Sequence, residues 1–291
     1  MRIMICGGDG QLGRDCKRVF QNKNIVESLD LPILDITDSG SIKRELAKFS
    51  PDVVINCAAY TNVDKCEAEN DAAFNVNANG PGNLAKICSE SGSILIHVST
   101  DYVFDGKKSP PLSYTEADKT APISVYGKTK LEGEKLVALN TENYMIVRTA
   151  WLYGAAGANF LKTMLRLALA DPEKEIKVVN DQFGSPTWSL RLALQIEKLV
   201  MEKGQGLYHA TSEGYCSWYE FASYFLKKMG VKHCVVPCTT EEFPTPALRP
   251  GNSILENRRL KREKINSMTG WRHGVDQFVS RYRQELLEEY R

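Results

Sequence analysis

The chain has 291 residues, 43% of them apolar and 25% charged, with a formal net charge of +1. That length suits one large or two modest domains with ample material for a core. The even charge leaves no electrostatic footprint for nucleic acid or an anionic membrane surface. No apolar stretch approaches the ~20 residues that span a bilayer, and Gly7 interrupts the first apolar run, which argues against a signal peptide. A soluble, cytoplasmic protein is expected.

Arg2 to Cys6 reads as a short buried strand, followed by Gly7-Gly8-Asp9-Gly10-Gln11-Leu12-Gly13 and a helix through Phe20. Glycines at 7, 10 and 13, or equally 8, 10 and 13, let the backbone approach a pyrophosphate whose charge sits on the free N–H groups of the helix. A second strand, Ile25 to Leu29, ends at Asp30, about where a carboxylate would hydrogen-bond an adenosine ribose. It accepts from a free 2′-hydroxyl and repels a 2′-phosphate, and Leu31 offers no compensating cation, so NADH is favoured over NADPH. Arg14, Lys17 and Arg18 leave room for the phosphate. Asp35 and Ile36 offer the adenine one polar and one apolar contact.

Further strand-length runs follow at Val53 to Asn56, Ile94 to Val98, Tyr144 to Arg148 and Ile176 to Val179, with helical stretches between them. The alternation predicts an α/β fold with a doubly wound parallel sheet and ligands at the carboxyl ends of its strands. Thr100 follows the Ile94 to Val98 strand and points toward the same crevice. The proline-rich stretch from 105 to 122 reads as a loop near the site. Tyr126 and Lys130 then lie one helical turn apart on one face. An ammonium beside a phenol favours the phenolate and pulls its pKa down from ~10, which makes the pair a tunable general acid.

After Trp151 the pattern changes. The chain divides into a dinucleotide-binding part, 1–151 and 175–205, and a smaller substrate lobe, 152–174 and 206–291, with helices at Trp218 to Met229 and Val275 to Tyr290. Eight cysteines without a Cys-x-x-Cys pair read as reduced core residues. His233, Cys234 and Cys238 make an incomplete ligand set, so no metal is assigned to them. His97 and His209 sit in strand-like runs and read as core or surface histidines. The basic run from Arg258 to Lys264, interrupted by Leu260 and Glu263, reads as a solvated helix face.

Seven segments together resemble the extended short-chain dehydrogenase/reductases, and within them the sugar-nucleotide reductases. They are 7–13, Asn-Cys-Ala-Ala-Tyr-Thr-Asn-Val-Asp-Lys-Cys-Glu (56–67), Ser-Thr-Asp-Tyr-Val-Phe-Asp-Gly (99–106), 126–130, Arg-Thr-Ala-Trp-Leu-Tyr-Gly (148–154), Asp-Gln-Phe-Gly-Ser-Pro-Thr (181–187) and Arg-Pro-Gly-Asn-Ser (249–253). The resemblance implies a Rossmann-type domain with a small substrate lobe. It also implies NAD(P)H-dependent reduction of the C4 ketone of dTDP-4-dehydro-L-rhamnose, for cell-surface polysaccharide.

On that likeness Tyr126 protonates the C4 oxygen, Lys130 holds the nicotinamide ribose and Thr100 bonds the same substrate oxygen. Gly10, Gln11 and Leu12 form the pyrophosphate loop. Ala59, Tyr60, Thr61 and Val98 line the cofactor, while Val63, Asp101, Tyr102 and Trp151 meet the sugar. Arg249 forks onto the substrate diphosphate, with a surface salt bridge as its alternative. A tryptophan after a buried strand is equally a packing residue. Lys65 and Glu67, near Val63, read nearly as well as a solvated helix start. Some relatives resemble magnesium-bridged dimers; here Asp15 supplies one carboxylate but Trp188-Ser189-Leu190-Arg191 supplies no second. A metal-independent monomer or differently built homodimer is expected. Reduction or epimerisation of another nucleotide-linked 4-keto-6-deoxysugar, or a non-catalytic cofactor-binding subunit, are the alternatives.

Overall fold

Successive side chains of a strand point to opposite faces, and the apolar runs use both. In the computed structural model, which describes residues 1–290, Ile3 and Ile5 of β1 (Arg2–Cys6) enter one buried cluster and Met4 and Cys6 another. Strands buried on both faces need helices on both sides. In chain order these are α1 (Gln11–Phe20), β2 (Ile25–Leu29), α2 (Ser39–Phe49), β3 (Val53–Asn56), the short α3 (Val63–Ala68) and α4 (Asn70–Phe74), and α5 (Gly80–Ser91). Then come β4 (Ile94–Thr100), α6 (Val125–Asn140) and β5 (Tyr144–Thr149).

The lobe begins with β6 (Leu152–Tyr153), α7 (Phe160–Ala170), β7 (Glu175–Val179), β8 (Phe183–Gly184) and β9 (Thr187–Trp188). The remainder is α8 (Ser189–Met201), β10 (Gly206–His209), β11 (Cys216–Ser217), α9 (Trp218–Met229), β12 (Cys234–Cys238), α10 (Arg258–Arg262) and α11 (Trp271–Glu289). Six strands form one parallel sheet in the order β10-β5-β4-β3-β1-β2. The winding reverses between β1 and β3, the switch point at which such sheets open a crevice.

The expected division of the chain is corrected at two places. Gly206–His209, placed in the lobe, pairs with β5 as the sixth strand of the sheet. Glu175–Val179, placed with the sheet, pairs instead with β12 in a separate two-stranded unit. Glu175 and Lys177 are exposed while Ile176 and Val178 are buried, a one-sided pattern that a strand covered on both faces cannot have. One apolar cluster runs from the sheet into the lobe, joining Val53 and Ile96 to Phe221, Phe225 and Phe278. The lobe is therefore built onto the sheet, and it has no separate core. The last helix begins at Trp271, a turn before the sequence pattern placed it, with the buried indole at its first position.

Helix α6 is fixed by charge. Its Glu134 is buried and receives Nε and Nη2 of Arg148, from β5, at 2.8 and 2.6 Å. Ser99 of β4 donates to the same carboxylate. On the far side, a side chain at Gly133 would meet the Asn77 carbonyl at 2.2 Å, so this turn packs backbone against backbone. Removing one partner of a buried pair strands the other charge. Arg148→Met is expected to cost about 3–5 kcal/mol in urea unfolding, and the double variant with Glu134→Leu should recover most of that loss.

Candidate active site

The glycine loop turns where Gly7 adopts a φ of +74°, and a side chain there would lie 2.6 Å from the Ala58 nitrogen. At Gly13 a Cβ would stand 2.2 Å from the Gly7 carbonyl, so helix and loop touch only because that position is bare. Gly10, the N-cap of α1, offers no side-chain cap, and the first turn carries no acid. The helix thus presents unpaired N–H groups and positive dipole to the cavity above it. Asp30 is held at the end of β2, accepting from Asp9 N at 3.0 Å and Leu31 N at 2.8 Å. Each carboxylate oxygen keeps a lone pair for a ribose hydroxyl. The donor set fits a dinucleotide.

A single cavity of about 650 Å³ runs from this loop to α6, within the range of cofactor sites. Gly7, Gly10, Gln11, Leu12, Gly13, Asp30, Asp35, Ile36, Ala59, Thr61, Val63, Val98, Thr100, Asp101, Tyr102, Tyr126, Lys130 and Trp151 all line it. Two of the expected residues do not. The Tyr60 hydroxyl donates to Glu69 at the surface and its main chain is clamped by Asn77, so its ring turns away. Arg249 pairs with Asp64 of α3, at 2.8 Å through Nη2, which is the salt bridge that was its alternative. The loop from 105 to 122 is also absent from the lining. Asn252 donates to the Lys108 and Leu112 carbonyls and fixes it against another segment.

At the inner end, Tyr126 packs edge-on to Tyr102 with ring centroids 5.5 Å apart. Thr100 donates to Asp101 Oδ1 at 2.9 Å and accepts from Tyr102 N at 3.2 Å. Burial is the largest cause raising the Tyr126 pKa, and the Thr100 hydroxyl opposes it. The expected depression by Lys130 is corrected here: the lysine nitrogen donates to the Val98 carbonyl at 2.7 Å and does not figure among the groups acting on the phenol. Burial brings the pKa of Lys130 down to about 8, against the pull of Glu134. Asp101, 2% exposed, is pushed up to about 6, mainly by loss of solvent.

The sequence reading missed the aromatic wall. Trp218 stacks on Trp151 at 3.5 Å with planes 6° apart, and Phe160 and Phe221 close the group. Trp151 itself has a φ of +47°, strained for a bulky residue. Asn159, from the segment before α7, donates to the Gln11 side chain at 2.9 Å and so ties the lobe to the glycine loop. The apolar spacing within α9 was visible, but nothing local showed that its first residue faces the cleft. Asp15 accepts from Ser189, and among the described residues no cluster of three metal-binding side chains occurs. No described helix is long and apolar enough to cross a membrane.

This union of fold and site defines a dinucleotide-binding protein of the extended short-chain dehydrogenase/reductase class. Comparison with known proteins narrows it: the profile of the RmlD substrate binding domain matches residues 1–284, and the chain belongs to that family. The spore coat polysaccharide biosynthesis protein SpsK of Bacillus subtilis is 37% identical over 279 residues, 96% of each chain. A dTDP-4-dehydrorhamnose reductase of Clostridium acetobutylicum superposes with a TM-score of 0.94 at 43% identity, covering 97% of this chain and 100% of its own. The Bacillus anthracis enzyme of that name, solved with NADP, gives 0.93 at 39% identity, covering 96% and 99%.

Asp101 gives the site a signature in stability. The folded carboxyl keeps its proton up to about pH 6, whereas an unfolded aspartate releases it near ~3.9. The folded state therefore binds more protons in that window, and stability falls as pH rises through it. Asp101→Asn should remove this decline, which amounts to about 3 kcal/mol, in urea unfolding at successive pH values.

Proposed function

We propose that the protein reduces the C4 ketone of dTDP-4-dehydro-L-rhamnose to dTDP-L-rhamnose with NAD(P)H. The observation that carries this is one cavity holding both the uncapped glycine-loop helix and the Thr100, Tyr126 and Lys130 group. Bound across it, a reduced nicotinamide supplies the hydride. The rest is assigned to the chain. Tyr126, kept protonated by burial, donates its hydrogen to the oxygen that gains charge. Thr100 has one hydroxyl hydrogen, now given to Asp101, so to donate to the carbonyl it must swing away. Lys130 holds the cofactor ribose. Trp151 and its stacked partner form an apolar wall for a deoxysugar, and Val63, Asp101 and Tyr102 complete that end.

Asp30 favours a free 2′-hydroxyl, while the Bacillus anthracis relative holds NADP; we read the pocket as taking NADH or NADPH. Arg249 would reach a substrate diphosphate only by leaving Asp64. The non-catalytic reading has no use for Thr100, Tyr126 and Lys130 in one cleft. Replacing Tyr126 by Phe should lower substrate-dependent cofactor oxidation by ~10²–10⁴-fold and leave the cofactor dissociation constant unchanged. Undiminished turnover in that variant would remove the phenol from the mechanism.

A further inference from the structure

Lys130 has a buried neighbour to which the reaction above gives no task. His97, on β4 and fully buried, sits between Asn56 of β3 and Lys130 of α6. Its Nδ1 lies 3.2 Å from Asn56 Nδ2 and its Nε2 lies 3.5 Å from Lys130 Nζ.

The hydrogen positions follow from one donor that cannot change roles. The backbone N–H of Ala58 donates to Asn56 Oδ1 at 3.1 Å. The other arm of that amide is therefore the NH2 group, and it donates to His97 Nδ1. The opposite amide orientation would leave the Ala58 N–H facing an NH2, with the cost of an unpaired donor. Burial, and after it the charge on Lys130, lowers the imidazole pKa well below its ordinary value, so the ring is neutral. A neutral ring with a bare Nδ1 carries its hydrogen on Nε2, the nitrogen that faces the lysine.

Around Lys130 the Val98 carbonyl is a committed acceptor. From its own helix come Glu134 and Tyr126, and from the end of β3 comes Cys57. Glu134 already accepts from Arg148 and Ser99. β4 thus offers the ammonium one acceptor, the Val98 carbonyl, and beside it the His97 N–H, where a second acceptor would hold its proton.

We propose that Asn56 and His97 act as a positioning pair for Lys130, presenting a fixed Nε2–H to the lysine nitrogen so that it releases a proton readily. This contact works in the same direction as burial, which brings the lysine to about 8. The amine form accepts from Nε2–H, and the ammonium form is opposed by it. Asn56 and His97 touch neither reacting atom; they act through Lys130. The kinetic consequence rests on the reductase reading, whereas the tautomer does not.

Two measurements on the full-length protein separate these. Long-range ¹H–¹⁵N spectra of histidine-labelled protein should show one neutral ring with a bare Nδ1 and a protonated Nε2, unchanged across the neutral range and missing from His97→Gln. A His97 ring protonated at Nδ1, or one that titrates near neutrality, would overturn the proposal. In pH profiles of kcat/KM, His97→Phe removes the N–H and should move the alkaline limb up by ~1 unit. His97→Gln places an amide N–H2 where Nε2 stands and should hold the limb in place. Should the Phe variant not fold, Asn56→Asp accepts from Nδ1–H, which should move the hydrogen to Nδ1 and raise the limb likewise. A limb unmoved in a folded variant of either kind would also overturn it. Absence of turnover in the unaltered protein, with the tautomer as stated, would count against the reductase reading alone.

Discussion

The bidentate bond between Glu134 and Arg148 sets the position on which the site depends. Tyr126, Lys130 and Glu134 follow one another at intervals of four, so they lie along one stripe of α6. The stripe is graded, from a phenol at the cleft through a buried ammonium to a carboxylate locked onto β5. A helix held only by apolar contacts can slide or rotate by a fraction of a turn. One anchored by a planar fork, with Ser99 of β4 on the same carboxylate, cannot do so without exposing a buried charge. Because Ser99 precedes Thr100, the anchor also ties the helix to the strand that carries the second hydroxyl of the site.

The other end of the cleft is organised by what is missing. No side chain caps α1, and no acid sits in its first turn, so the dipole there is left to a ligand. Glycines make the approach possible on both sides of that turn. Asp30, whose two backbone partners orient it, supplies a fixed carboxylate at the end of β2. The lobe then joins the loop through Asn159 and Gln11, so the cavity is walled by both parts of the chain.

What the sequence disclosed follows from the range of the forces involved. Local periodicity gave β1 to β5 and helices α1 and α9, because burial on two faces or along one stripe leaves its mark in adjacent residues. The Tyr126 and Lys130 pair and the glycine loop were legible for the same reason, since each is contained within one element. Contacts between distant segments were not. Trp218 faces Trp151 across 66 intervening positions of chain, and its stacking depends on Gly184, where a Cβ would stand 2.3 Å from the indole. Strand β10 has only four residues and no apolar run of its own, so its membership of the sheet comes from pairing with β5. Arg249 was read from its charge and from the likeness, and neither could reveal that Asp64 had claimed it.

Burial drives four ionisable groups at and beneath the reacting position toward their neutral forms. It raises the carboxyl of Asp101 and the phenol of Tyr126, and it lowers Lys130 and His97. A cleft of this kind resists holding charge. Reduction of a ketone to an alcohol adds a hydride and a proton to the reacting carbon and oxygen, which stay uncharged, so the two charges it would leave in the cleft are the oxidised nicotinamide and the phenolate. Of the groups around the phenol, the Thr100 hydroxyl is the one that favours the phenolate, and Lys130 is not among those acting on it. The stronger the desolvation, the more such a donor is worth, and the more a neighbour such as His97, by presenting a donor of its own, can decide which form the lysine takes.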